Sequence, residues 1–197
     1  MSDKISIYNM ALLHVGATTV SSTDDDAKAV RVLDQFYETV RDRALADFPW
    51  NFALAQATLA RKDNEPAFGF ACAYQLPADC LCVVELSQAA YEYRITSGQT
   101  LECDYDDSAN GADPLYLDYV KRVTDESLFP PHFIQALAQA LACAIAVPMT
   151  GKASLRDALS QQYFITLADA QAADCRNNRQ STGAWNTEKD TWITGRA

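Results

Sequence analysis

Positive charge is what this chain has least of. It carries 16 Lys and Arg against 26 Asp and Glu, a net charge of −10. Proteins that wrap nucleic acid neutralise phosphates with cations, so this balance excludes tight DNA or RNA binding. It still permits an acidic channel wall, which would repel phosphates and let a duplex slide. Histidine is nearly absent too, with only His14 and His132. No Gly-x-Ser-x-Gly elbow and no His-Glu-x-x-His pair occurs. No apolar run is expected to reach bilayer-spanning length, so no membrane partner is expected. The opening MSDKISIYNMALLHVG lacks a basic n-region and a small-residue cleavage site, so a signal peptide is not expected. Six cysteines (72, 80, 82, 103, 143 and 175) show no Cys-x2-Cys pair and no dense framework. Buried thiols in a reducing compartment are expected, with no metal and no other cofactor.

What is present is an ordinary globular composition, 49% apolar and 21% charged. Ile5, Tyr8, Leu12 and Val15 recur at helical steps before Gly16, predicting a short first helix. SSTDDDAK then offers Ser22 or Thr23 as an N-cap and three aspartates at the positive end of a helix dipole. The stripe Ala27, Val30, Leu33, Tyr37, Val40, Ala44 and Phe48 predicts a second helix. Arg31, Asp34, Glu38, Arg41 and Asp42 fall largely to its polar side. Pro49 ends that helix, because the residue before a proline is pushed out of the α region. From Trp50 the period changes, and strands are predicted over 51–60, 82–87, 91–96, 100–104 and 115–123, forming one small antiparallel sheet. Beyond Pro130-Pro131, Phe133, Leu137, Leu141 and Ile145 predict a third helix broken by Pro148 and Gly151. Leu155, Leu159, Tyr163, Leu167 and Ala170 predict a fourth. The expected fold is α+β: a bundle of about four helices (1–49 and 124–176), an inserted antiparallel β subdomain (50–123), and an extended C-terminal tail (177–197). That tail is polar yet holds Trp185 and Trp192.

A search for chemistry finds little. Gly151-Lys152 lacks the first glycine of a phosphate loop, and Ala153 stands where Ser or Thr is needed. A calcium-loop pattern from Asp106 places Ser108, Asn110 and Gly111 correctly, but Leu117 occupies the position of the bidentate Glu, so a turn is expected. Glu102 with Asp104, or Asp106 with Asp107, are carboxylate pairs of the kind glycoside hydrolysis uses, with nothing to mark one as desolvated. No catalytic residue is assigned.

The segments IYNMALLHVGA, RDRALADFPWNFALAQATLA, AYQLPADCLCVVEL and TDESLFPPHFIQALAQALACAIAVPMTGK, in this order and spacing, resemble the head–tail adaptor proteins of tailed bacteriophages. In short-tailed phages this is the tail tubular protein A family. The resemblance covers about residues 4–175. Cys82 stands where the family pattern leads one to expect a basic residue, and the tail beyond Cys175 is the least comparable part. The resemblance implies a virion protein without enzymatic turnover, assembled in the host cytoplasm and resident at the head–tail junction. About a dozen copies would form a ring between the portal protein and the tail nozzle, extending the channel through which DNA passes without tight binding.

Within that reading, Pro49, Trp50 and Phe52 form the helix–sheet junction. Trp50 is either plain core or a plug fixing the angle between ring-forming and tail-facing parts; in neither role does it stack on a ligand. Trp185 and Trp192 are expected anchors of a tail that orders on docking to the portal or a neighbouring subunit. The alternative is a tail-associated peptidoglycan or polysaccharide hydrolase, with Glu102 and Asp104 as its candidate carboxyls. A third reading is a cytoplasmic adaptor unrelated to phage.

Overall fold

A computed structural model describes residues 3–22, 28–64, 66–107 and 113–177. The fold is α+β, with four α-helices and small antiparallel sheets among the described residues. Helix α1 spans Lys4–His14; Asp3 caps it, its Oδ1 accepting from the Ser6 amide at 2.9 Å. Gly16, at φ +71, turns the chain out of this helix at a value that costs glycine nothing. Helix α2 spans Lys28–Ala46, and the Thr23 cap with its aspartates lies outside the described residues. Helix α3, Pro131–Thr150, is the hub of the bundle and packs against α1, α2 and α4 (Ala153–Asn177). Its stripe of Phe133, Leu137, Leu141 and Ile145 is fully buried.

Two expectations about α3 are corrected. The helix continues through Pro148 and ends at Gly151, which adopts φ +70 and donates its N–H to the Val147 carbonyl at 2.8 Å. Pro148 removes one helical donor, but the Gly151 bond and the Thr150 hydroxyl on the Ala146 carbonyl (2.6 Å) hold the last turn together. Secondly, α3 is long and apolar enough to cross a membrane, with an 18-residue window of mean hydropathy 1.6. Of that window, 56% is buried inside the fold, as the centre of a helical bundle requires.

The strands are β1 (Leu54–Thr58), β2 (Ala60–Arg61), β3 (Cys72–Gln75), β4 (Cys80–Leu86), β5 (Tyr93–Thr96), β6 (Thr100–Cys103) and β7 (Tyr116–Lys121). They form two antiparallel sheets, not one: β1-β7-β4 and β2-β3-β6-β5. The predicted strand over 51–60 begins as a 3₁₀ turn, Asn51–Ala53, and then splits. Leu59 is buried and donates its amide to the Leu115 carbonyl, so the chain leaves the first sheet there and enters the second. Strand β3 was not expected, because four residues of CAYQ carry too little alternation to register.

Two apolar clusters hold the chain. One lies among the helices and also takes in Trp50, Ala53, Val120, Val123 and Phe129. The other lies between the sheets, around Leu59, Tyr74, Leu101, Leu115 and Leu117. Arg41, expected on the polar side of α2, is only 6% exposed. Its guanidinium lies 5.9 Å from the Tyr37 ring and donates to Asp42 Oδ1 at 2.8 and 3.0 Å. Arg122 Nε holds the other Asp42 oxygen at 2.8 Å. The burial is tolerated because the charge is paired.

Candidate assembly site

The Pro-Trp junction is a nexus of elements. With Pro49 blocking continuation of α2, the Trp50 backbone turns extended at φ −61 and ψ 130. Its carbonyl accepts the amides of Ala53 and Leu54 at 2.9 and 3.1 Å, starting the 3₁₀ turn that leads into β1. The Trp50 side chain is fully buried, and its indole Nε1 donates to the Ala44 carbonyl at 2.9 Å. That carbonyl belongs to the last turn of α2, one of the groups a helix end leaves without an internal partner. The ring meets Phe48 and Phe133 edge-to-face, with centroids 5.0 and 5.1 Å away. Phe52 extends the cluster to Phe133 (4.9 Å) and Phe129 (5.7 Å). All three junction residues named from the sequence therefore lie where helices and sheet meet.

One residue was not foreseen. Asp174, in the last turn of α4, is 3% exposed and closes the junction from the far end of the chain. Its Oδ2 accepts the Asn51 amide at 2.9 Å, and its backbone carbonyl accepts from Asn51 Nδ2 at 2.8 Å. Its Oδ1 lies 3.6 Å from His132 Nε2 at the start of α3, too long for a hydrogen bond. The buried carboxylate thus caps a turn donated by another segment and ties the last turn of α4 to it. Trp185 and Trp192 lie outside the described residues. The sequence signal for Asp174 is faint: Pro-Trp-Asn predicts a turn with amides to satisfy, but nothing says which acid satisfies them.

The carboxylates weighed for glycan hydrolysis are differently placed. Glu102 on β6 accepts from Arg94 at 2.5 and 3.1 Å and from Thr96 at 2.9 Å. The Arg94 and Thr96 hydrogen bonds hold its carboxyl below the usual range. A proton-donating carboxyl in glycoside hydrolysis needs the opposite displacement. Asp104 accepts the Ala71 amide at 2.9 Å and secures a turn. Asp106 accepts from Arg61 at 2.6 Å. No group of three or more metal-ligating side chains occurs among the described residues.

Several apolar side chains face outward. Helix α4 has 25 residues, of which only Leu159, Ala170 and Asp174 are buried. Phe164 and Ile165 are 68% and 58% exposed. Phe164 borders a groove of about 370 Å³ between α2, α3 and α4, floored by Val40, Ala140 and Cys143 and rimmed by Arg43 and Arg156. On the outer side of the β1-β7-β4 sheet, Leu54 and Tyr116 are exposed beside the register pair Glu85 and Asp118.

No protein-family model and no curated protein matches this chain.

Proposed function

We propose that this chain is a structural head–tail adaptor of a tailed bacteriophage, forming a ring of about twelve copies between portal and tail nozzle. The reading rests on the sequence resemblance, and one structural observation carries it furthest. Helix α4 runs 25 residues with three buried, and it sets Phe164 and Ile165 in solvent. One side of α4 packs on α3 through Leu155, Leu159, Leu167 and Ala170, but the outward side that carries Phe164 and Ile165 is covered by nothing in the monomer, whereas a subunit whose α4 faces a neighbour buries those side chains. The exposed Leu54 and Tyr116 side of the first sheet offers a second, different surface, which head-to-tail ring contacts need.

In this reading Trp50 and Asp174 fix the helices against the sheet, so the two contact surfaces hold a set angle. The chain turns over no substrate, binds no cofactor, and takes portal and nozzle proteins as partners. Trp185 and Trp192 act as tail anchors on the portal or the next subunit. The negative charge keeps passing DNA from adhering. The glycan-hydrolase alternative loses its candidate acid in Glu102, which Arg94 holds ionised. Electron microscopy of the chain mixed with the portal protein of the same virion tests the proposal. Portal particles that gain an added ring layer support it; unchanged portal particles refute it.

A further inference from the structure

Among the six cysteines, one pair shares a register position. Cys72 opens β3 and Cys103 closes β6, and the two are direct partners across the antiparallel ladder. Both are buried, at 1% and 0% exposure, on the face that packs the β cluster. Directly opposite residues in such a ladder stand roughly 4.5–5.5 Å apart at Cα, within the roughly 4.4–6.8 Å that a disulfide spans. Neighbours in a ladder also point to the same side of the sheet, which brings the two thiols together. All six cysteines are thiols here.

We propose that Cys72 and Cys103 are an oxidation site, closing to an intrachain disulfide when the protein meets a small-molecule disulfide oxidant. The chemistry is two exchanges. One cysteine thiolate attacks the oxidant's S–S bond, forming a mixed disulfide and releasing one reagent thiol. The second thiolate attacks the protein sulfur of that mixed disulfide and displaces the other reagent thiol. The protein loses two hydrogens and two electrons, and the oxidant is reduced to two thiols.

Access follows from position. The pair sits at the end of both strands, where reaching it means opening the Ala71–Asp104 hydrogen bond and the last step of the ladder rather than the whole sheet. The segment leading into β3 covers that end lightly, with Ala67, Phe68 and Ala71 exposed. Burial pushes the Cys103 thiol up, so the exchange is slow at neutral pH and quickens as pH rises. The consequence is topological. Between Cys72 and Cys103 the chain crosses to the first sheet to form β4 and returns as β5 and β6. A bridge therefore closes a loop that contains strands of both sheets, and it fastens the β part of the molecule without touching the helices.

The test uses the full chain, folded, with oxidised glutathione as the probe, followed by peptide mapping without reduction. The expected product is a linked Cys72–Cys103 peptide with no retained glutathione. Its melting temperature should exceed that of the reduced chain by roughly 5–10 °C. Cys103→Ser should retain one glutathione at Cys72, or none, and show no such rise. If that variant fails to fold, the wild-type map decides alone. Recovery of both cysteines as thiols or as separate glutathione adducts, while exposed Cys82 and Cys175 react, overturns the proposal. So does a bridge between any other two cysteines.

Discussion

Replacing Trp50 with alanine removes the largest fully buried side chain among the described residues. The cost has separable parts. Truncating a buried Trp to Ala costs about 3–5 kcal/mol, including the cavity left behind. The indole hydrogen bond to the Ala44 carbonyl adds about 1 kcal/mol, because a helix-end carbonyl then loses its partner inside the fold. Edge-to-face contacts with Phe48 and Phe133 sit partly within the first figure and are not added again. A loss of about 4–6 kcal/mol is a large part of the roughly 5–15 kcal/mol that holds a domain together. Trp50→Phe separates the parts: it keeps most of the ring packing and loses the hydrogen bond, for about 1–2 kcal/mol. Urea unfolding followed by far-ultraviolet circular dichroism measures both variants. Trp50→Ala within 1 kcal/mol of wild type would refute the account of the junction, as would a Phe variant as damaged as the Ala variant.

Asp174→Ala leaves the Asn51 amide without its acceptor and should cost about 1–3 kcal/mol by the same urea assay, whereas Asp169→Ala, elsewhere on α4, should stay within about 0.5 kcal/mol. Alkaline pH should unfold the protein through Tyr8 and Tyr37, whose phenols are pushed well above their usual range, first by burial and then by Asp34 and Glu126. A raised pKa gives stability that is complete below the unfolded value near 10 and is lost as pH climbs towards the folded value. Phenolate absorbance should therefore rise together with loss of helix signal, and Tyr37→Phe should make that loss shallower. Glu102→Gln should leave any glycan-releasing activity of purified particles unchanged in a turbidity assay, because Arg94 holds that carboxylate ionised. Phe164→Glu with Ile165→Glu should keep the melting temperature nearly unchanged, since both side chains are exposed, while abolishing ring formation on the portal.

The helices were legible because their burial repeats locally. The Phe133, Leu137, Leu141 and Ile145 stripe and the stop at Pro49 follow from spacing and from one backbone rule. The β part was harder, since strands of two to seven residues carry few alternations. Nothing local marks Leu59 as the point where the chain changes sheets; its partner carbonyl lies at Leu115. Arg41 reads as polar from its charge, and only the folded neighbours Tyr37 and Asp42 make its burial sensible. Asp174 was the least legible of all. Its amide partner is 123 residues away, and in sequence it is one acid among 26. The turn at Pro49, Trp50 and Phe52 is legible because its grammar is local; the acid whose carboxylate accepts the Asn51 amide is not.

The adaptor reading is tested most directly by native mass of the purified chain, alone and mixed with the portal ring of the same virion. The account predicts a complex of fixed composition on the portal, about twelve chains per ring, lost when Phe164 and Ile165 are both glutamate. A chain that keeps its own mass in the mixture, with the portal mass unchanged, would contradict it.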